Sequence, residues 1–519
     1  FFAAATVLLV LEITRRTTGW ALVIVASTLI LYAFFGDMLP RAVKHTGFTF
    51  DVIVEHLFLL NEGVYGIPIG VATSTLFGFI MFGAFLERSK MSSIFMDLAC
   101  LLTRNSQGGP AKVAIFASAL FGTISGSAAA NVYGTGTFTI PLMKKVGYTP
   151  HFAGAVEAVA STGGQMMPPI MGAAAFIMAD VIGVSYLTIA KAALIPSVLY
   201  YLTLLAIIHL EAVSKNMGTL PPELVPSAAS VLRRLYYLFP LVFLITILLM
   251  GRSVIACAYY GTVCIVILSM IRSETRFTFK RLCGALELSA KNAMMVSSCC
   301  ACAGIIIGVI SLTGIGYKFI NVITALAGSN LLLLMAMLMV TCIILGMGVP
   351  TAPAYIIVAT LGAPALMKAG VPIIAAHMFV YFYAILSVIT PPVCLAAFAG
   401  AAIAETNAMK TGVTAMKLGI VAFIIPFMFV FEPALLMQGS TTEIVTAFAS
   451  ALIGVIGIAS GMQNWLLVRC RLWERALLLA SGLMLIFPGL ITDTIGLSSL
   501  LIVLFAQRLR KGGSPVAAA

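Results

Sequence analysis

Long apolar runs separated by short polar breaks set the elements of this chain. A helix that crosses a bilayer needs about 20 mostly apolar residues. The stretches 19–36, 66–86, 150–180, 186–210, 234–250, 254–271, 286–311, 372–404 and 413–433 meet or approach that length, and 1–13 reads as a truncated span. The stretch 444–507 offers about three shorter, weaker ones. Between them lie apolar segments too short or too interrupted to cross, 110–124 with 131–141 and 330–345 with 352–362. These read as two re-entrant hairpins. Residues 91–103 and 317–327 read as amphipathic arms along the interface. The clear polar linker is 214–233, with Pro221, Pro222 and Pro226 before Arg233 and Arg234, and it separates two halves.

Composition narrows the class. Of 519 residues, 61% are hydrophobic and 9% are charged. A soluble domain needs about 25% charged residues to cover its surface. The mean hydropathy of +1.10 holds along the whole length and leaves no soluble-sized gap. The runs are continuous rather than alternating, which excludes an outer-membrane barrel. The net charge of +12 belongs to cytoplasmic loops rather than to nucleic-acid binding. With Arg15-Arg16 inside, counting spans places Arg88, Lys90, Lys144, Lys145, Lys215 and Arg272 inside as well; Lys318 and Lys368 are the main exceptions. The ten cysteines show neither metal nor disulfide spacing, and Cys299, Cys300 and Cys302 fall in an apolar segment as packing residues.

The two hairpins belong to a repeat. Pro168-Pro169 and Pro391-Pro392 each interrupt an apolar span, 223 positions apart (391 − 168). The same ungapped offset lays Pro141 on Pro364, Lys145 on Lys368, Gly147 on Gly370 and Ala173-Ala174 on Ala396-Ala397. The first hairpin enters from the cytoplasmic side and the second from outside, so the repeat is inverted. Inverted repeats with broken segments point to a secondary transporter whose site lies near the midplane.

The breaks carry the chemistry. The tip Gly122–Asn131 carries Gly122, Ser125, Gly126, Ser127 and Asn131, and the tip Gly346–Pro353 carries Gly346, Gly348, Pro350 and Pro353. The facing spans break at Ser161–Pro169 and Ser387–Pro392. Each proline removes a donor and clashes with the preceding turn. The freed carbonyls must be buried in protein, wetted or occupied by an ion. Carbonyls with Ser and Thr hydroxyls make oxygen cages of little formal charge, suited to Na⁺ rather than to a divalent ion. Half-helix N-termini favour an anionic substrate. Glu157, in a span with no nearby Lys or Arg, is a candidate for binding a proton or supporting an ion site; a hydrogen-bonded acid near the cytoplasmic end is the plainer alternative. Asp180, His377 and Glu405 fall near span ends, and Tyr381 and Tyr383 approach the second break as cavity-lining or packing residues. No metal cluster, phosphate loop or paired intramembrane aspartates support enzyme chemistry.

Three motifs carry a family resemblance: Phe121–Asn131, Ile140–Tyr148 and Gly164–Pro169, with Gly346–Pro353 and Ile389–Pro392 in the second half. Over roughly 60–433 the chain resembles the large membrane subunit of tripartite ATP-independent periplasmic (TRAP) transporters. Asn131 and Gln165-Met166-Met167 resemble the fused permeases that work with TAXI-type binding proteins. The resemblance implies an elevator-type importer of an organic anion, driven by Na⁺ and fed by an extracytoplasmic binding protein. It implies one sodium site at Ser125, Gly164, Met167 and Pro169, and another at Gly346, Gly348, Thr351, Val388 and Thr390. Around them Gly126, Ser127, Asn131, Gln165, Pro168, Ala352, Pro353 and Pro391 would line the substrate cavity. Where many relatives carry Ser, this tip has Ala128, with Asn131 as the candidate replacement.

The expected fold is thus an all-α polytopic membrane protein with inverted repeats, two re-entrant hairpins and two broken transmembrane helices. Its expected organisation is a remnant of a fused small subunit with a connecting helix (1–62), a first repeat (63–213), a linker with connecting helices (214–285), a second repeat (286–433) and a C-terminal membrane extension (434–519). The expected function is Na⁺-coupled, binding-protein-dependent import of a dicarboxylate or 2-oxo acid across a bacterial or archaeal inner membrane. The alternatives are a symporter of anions with Na⁺ or protons that works alone, and a channel or scaffold.

Overall fold

The computed structural model describes residues 1–40, 43–486 and 489–512. Every regular element among them is a helix, apart from an isolated bridge pairing Trp465 with Arg469. Helices α1 (Phe2–Thr18), α2 (Trp20–Phe35) and α3 (Phe50–Leu59) come first. α1 is tied to the long helix α15 (Phe279–Thr313): the Thr14 hydroxyl donates to the Ser298 carbonyl at 3.1 Å, and the Thr17 and Ser298 hydroxyls lie 2.9 Å apart. Cys299, Cys300 and Cys302 are buried free thiols on the same helix.

The repeat is visible as helix order. In the first half, α4 (Ile67–Val71), a π turn and α5 (Phe77–Arg88) make one span, followed by the arm α6 (Ser93–Thr103). The hairpin α7 (Gly109–Ser125) and α8 (Ala128–Lys145) comes next. After it stands α9 (Pro150–Gly163), a break, α10 (Ala173–Ile182) and α11 (Tyr186–Ser214). The linker carries α12 (Ala228–Leu232), α13 (Phe239–Leu249) and α14 (Val254–Ser269). The second half repeats the order. α15 leads to the arm α16 (Ile315–Ala327), the hairpin α17 (Leu331–Gly346) and α18 (Thr351–Lys368), then α19 (Ile373–Leu386), a break and α20 (Leu395–Ala404). Thr351 follows Ala128, and Ile373 follows Pro150, by 223 positions, so the register read from the prolines is also the register of the helix starts. Pro141 and Pro364 occupy matching places inside α8 and α18.

Local chemistry explains the turns. Gly126 closes α7 in the left-handed region (φ 62°), where only glycine is free of strain, and its N–H bonds to the Gly122 carbonyl at 3.2 Å. Ser127 then caps α8, accepting from the Ala130 N–H. In the second tip Gly348 takes φ 70° and Pro350 precedes α18. Both double prolines contain a cis peptide bond.

Packing joins the halves. α9 lies against α20 at Gly154 and Gly400. A side chain at Gly154 would place its first carbon 2.8 Å from the Gly400 carbonyl oxygen, and one at Gly400 2.4 Å from that of Gly154. The two backbones are therefore in direct contact, as small residues allow in membrane bundles.

Two expectations are corrected. The run 413–433 is not one straight helix: α21 (Ala408–Leu418) and the following helical segment through α22 (Ile425–Phe431) bend by 62°. The tail is stronger than its hydropathy pattern suggested, since α23 (Thr441–Gln463) is a 23-residue apolar helix, followed by α24 (Leu472–Ile486) and α25 (Leu490–Gly512). His377, near the start of α19, is buried in the protein, and its Nδ1 lies 2.8 Å from the Tyr355 hydroxyl. Six helices among the described residues are individually long and apolar enough to cross a membrane, or eight if each bent pair counts as one. The hairpin arms α7 and α17 and the halves of the broken helices fall below that length because the breaks divide them, and α8 and α18, at 18 residues each, are less apolar.

Candidate functional site at the hairpin tips and helix breaks

Each tip meets the break of its own repeat. α7 touches the first break at Gly122 and Gly164. A side chain at Gly122 would put its first carbon 2.6 Å from the Gly164 Cα, so neither position has room for one. In the second half the Ser387 hydroxyl donates to the Gly346 carbonyl at 3.0 Å. Ser387 lies 223 positions after Gly164, so the same tip-to-break contact is made twice, by glycine against glycine and by hydroxyl against carbonyl.

Gln165 joins the two units. Its Nε2 donates to the Gly126 carbonyl in the first tip at 3.1 Å, and its Oε1 accepts from the Thr351 hydroxyl, at the start of α18, at 3.1 Å. Its backbone carbonyl accepts from the Tyr381 hydroxyl on α19 at 2.6 Å and from the Gly172 N–H at 2.7 Å. One residue thus holds the first tip, the second tip and both broken helices.

The first break is heavily capped. Ser197 on α11 donates to the Met166 carbonyl at 2.6 Å, and the Tyr186 hydroxyl reaches the Pro169 carbonyl at 2.9 Å and that of Ile170. Among the described residues no donor reaches the carbonyls of Gly164 and Met167. The second break is more open. Thr390 donates its hydroxyl to the Leu386 carbonyl at 2.8 Å and its N–H to that of Ser387 at 3.2 Å, and no described donor reaches the Val388 carbonyl. Ser125, Gly126, Ser127, Met167, Pro168, Pro169, Gly348 and Pro391 are half-buried, whereas Gly164, Gly346, Thr351, Ala352, Pro353, Val388 and Thr390 are buried behind them. The N-termini of α8, α18, α10 and α20 all start at these tips and breaks. They bring partial positive charge to these tips and breaks.

Asn131 and Glu157 lie behind the tips. Asn131 is fully buried between α7 and α9, donating to the Ser118 carbonyl at 2.9 Å, with its amide beside Gly122 at the tip-to-break contact. Glu157 sits deeper still, two turns before the break. Ser118 and Thr135 donate to its Oε1 at 2.6 and 2.5 Å, Ser161 donates to the same oxygen at 3.2 Å, and Thr139 donates to Oε2. Sequence reasoning did not single out Ser197, Tyr186 or the hydroxyls of Ser118, Thr135 and Thr139 around Glu157. Isolated Ser, Thr and Tyr in apolar helices are common, and only the fold shows which of them face a break.

Duplicated hairpins and broken helices in an apolar bundle define a polytopic membrane protein of the secondary-transporter class. The chain belongs to the family described as tripartite ATP-independent periplasmic transporter, DctM component, whose model matches residues 5–444. That range takes in α1 and α2 and is wider than the resemblance read from the motifs. Residues 444–498 match a domain of unknown function, DUF3394. The chain is 29% identical over 143 residues to the C4-dicarboxylate TRAP transporter large permease protein DctM of Pseudomonas aeruginosa, covering 28% of this chain and 33% of that protein. It is 36% identical over 91 residues (18% of this chain, 14% of the relative) to the isethionate TRAP transporter permease protein DctMQ of Oleidesulfovibrio alaskensis. It is 23% identical over 360 residues (67% and 55%) to the sialic acid TRAP transporter permease protein SiaT of Haemophilus influenzae. The chain spans less than half the length of the first curated relatives it matches. The family is one of transporters, in agreement with the reading of the chain as a transporter rather than an enzyme.

Proposed function

We propose that the protein is the membrane carrier of a Na⁺-coupled importer of an organic acid anion, of the dicarboxylate or 2-oxo acid class. It receives the anion from an extracytoplasmic binding protein of the TAXI type and works in a bacterial or archaeal inner membrane with a small-subunit region, fused to it. The observation that carries this reading is the Gln165 junction, which makes the two tips and two breaks one oxygen-rich body. The contact of Gly154 with Gly400 adds backbone packing to that body, as an elevator requires of its moving part. Na⁺ is cargo here. The open carbonyls of Gly164 and Met167 with Ser125, and those of the second break with Thr351 and Thr390, are the oxygens that would take it. The four half-helix N-termini suit an anion, and the relatives whose names state a substrate name C4-dicarboxylates, isethionate and sialic acid, all anions. The test is uptake of labelled organic acids into proteoliposomes holding the chain, with the binding protein outside and either a Na⁺ or a proton gradient. Uptake that needs both Na⁺ and the binding protein supports the proposal. Uptake without the binding protein supports a carrier that works alone.

A further inference from the structure

Glu157 is a fully buried acid, and among the described residues no Lys or Arg pairs with it. Its carboxyl is ringed by four hydroxyls from three helices: Ser118 on α7, Thr135 and Thr139 on α8, and Ser161 on its own helix α9. The other groups facing it are neutral. α11 brings Tyr200 and Tyr201, whose hydroxyls donate to the carbonyls of Val159 and Ala160 at 2.6 and 2.9 Å, and α20 brings no titratable group. The lysines on neighbouring helices, Lys112 on α7, Lys144 and Lys145 on α8, Lys191 on α11, and Lys410 and Lys417 on α21, lie towards helix ends, and among the described residues none forms an ion pair with it.

Two physical points decide what this cluster holds. A buried charge with no counter-ion costs several kcal/mol, on the order of the penalties measured for unpaired ions in protein interiors, so a negative Glu157 needs a positive ligand. The spacing then selects that ligand. Carboxyl and hydroxyl oxygens 2.5 and 2.6 Å apart are in direct hydrogen-bond contact. A metal cation held at about 2.4 Å from each oxygen would spread them further apart. A proton needs no such room. It sits on one carboxyl oxygen and is donated to a hydroxyl, and each hydroxyl can turn to donate or accept.

We propose that Glu157 with Ser118, Thr135, Thr139 and Ser161 is a proton-binding site carried by the first hairpin unit, separate from the oxygen cages at the tips, so that the carrier takes up and releases a proton as that unit is wetted and closed. All its members belong to α7, α8 and α9, so the site moves with the hairpin as one piece. The inference rests on the reading of the chain as a gradient-driven carrier, not on which ion the tips hold.

The experiment is infrared titration of the purified full chain in lipid, following the carbonyl stretch of a protonated carboxylic acid as pH is varied over the range in which the protein stays folded. The expected result is a reversible acid band in the wild type that is missing in Glu157→Gln. Thr139→Val, which keeps the acid and removes one hydroxyl from beside Oε2, should keep the band and shift its frequency. Thr390→Val should keep the band unshifted while losing Na⁺-dependent thermal stabilisation, which separates failure of this site from failure of the Na⁺ reading. An acid band that is absent, that persists unchanged at every pH, or that survives in Glu157→Gln overturns the proposal.

Discussion

Replacing Gln165 with Leu tests the junction on which the site is built. Leucine keeps roughly the bulk and removes two hydrogen bonds, one to the Gly126 carbonyl and one from the Thr351 hydroxyl, both 3.1 Å long. Each is worth about 1 kcal/mol net, and the buried Thr351 hydroxyl has limited access to replacement water, which raises its share. The expected loss is about 2–3 kcal/mol of coupling between the tips. The bonds of the residue's backbone carbonyl to Tyr381 and Gly172 remain, so the fold should survive. If Na⁺ binds best when both tips are in place, that loss weakens Na⁺ half-saturation roughly 30- to 150-fold. The assay is Na⁺-dependent uptake in proteoliposomes, or Na⁺-dependent thermal stabilisation if no substrate is in hand. Gln165→Glu keeps an acceptor for Thr351 and loses the donor to Gly126, so it should fall between wild type and Leu. An unchanged Na⁺ half-saturation in Gln165→Leu would refute the claim that this residue couples the tips.

Three further outcomes follow from particular contacts. Gly400→Ala sets a methyl 2.4 Å from the Gly154 carbonyl oxygen, so α9 and α20 must part by roughly 1 Å, and melting in detergent should drop as for a loss of about 1–3 kcal/mol. Ser125→Ala and Thr390→Val each remove a hydroxyl oxygen from a proposed cage and should raise the Na⁺ concentration for half-maximal uptake; no change in either counts against the cages. Glu474→Ala removes the acceptor of the Arg471 N–H (2.8 Å) and the Gln507 amide (3.0 Å). It should loosen the tail by about 2–3 kcal/mol, seen as faster proteolysis of 464–512 with the hairpin core intact.

How much of this was legible depends on the kind of signal. The repeat was legible because proline and glycine constrain the backbone directly: Pro168-Pro169 and Pro391-Pro392 fixed a register that the starts of α8 and α18 then followed. The hairpins were legible because runs of that length cannot cross. The bend between α21 and α22 was not, since the continuous apolar run 413–433 hides a change of direction set by tertiary packing. Asn131 reads from the sequence as a lining group because it is polar and near a tip, and its buried hydrogen bond was not legible. Its partner, the Ser118 carbonyl, sits on the opposite arm of the hairpin, which spacing alone does not reveal. Glu157 stood out as an isolated acid, but its four hydroxyl neighbours come from three helices, and no linear pattern joins them.

The repeat is symmetric in backbone and asymmetric in donors, and that difference has a consequence for the ions. In the first break the carbonyls of Gln165, Met166 and Pro169 already accept from Tyr381, Ser197 and Tyr186, two of which come from α11. In the second break the capping comes mainly from within, through Thr390 and Ser387, and the Val388 carbonyl stays open. A carbonyl that already accepts a hydrogen bond offers a cation a weaker field, because the donor withdraws part of its electron density and fixes its direction. Among the proposed ligands each cage has one capped carbonyl, Pro169 by Tyr186 and Gly346 by Ser387, so the difference lies in the neighbours: the capped carbonyls of Gln165 and Met166 hold the first break in place, and the second, freer to close on an ion, should bind Na⁺ more tightly. Two variants separate them: Ser125→Ala leaves the second cage intact and Thr390→Val leaves the first. The ion that remains in Ser125→Ala should half-saturate at lower Na⁺ than the one that remains in Thr390→Val. Equal values would mean that the donors at the first break do not hinder its closing on an ion, and the reverse order would place the tighter site at Gly164 and Met167.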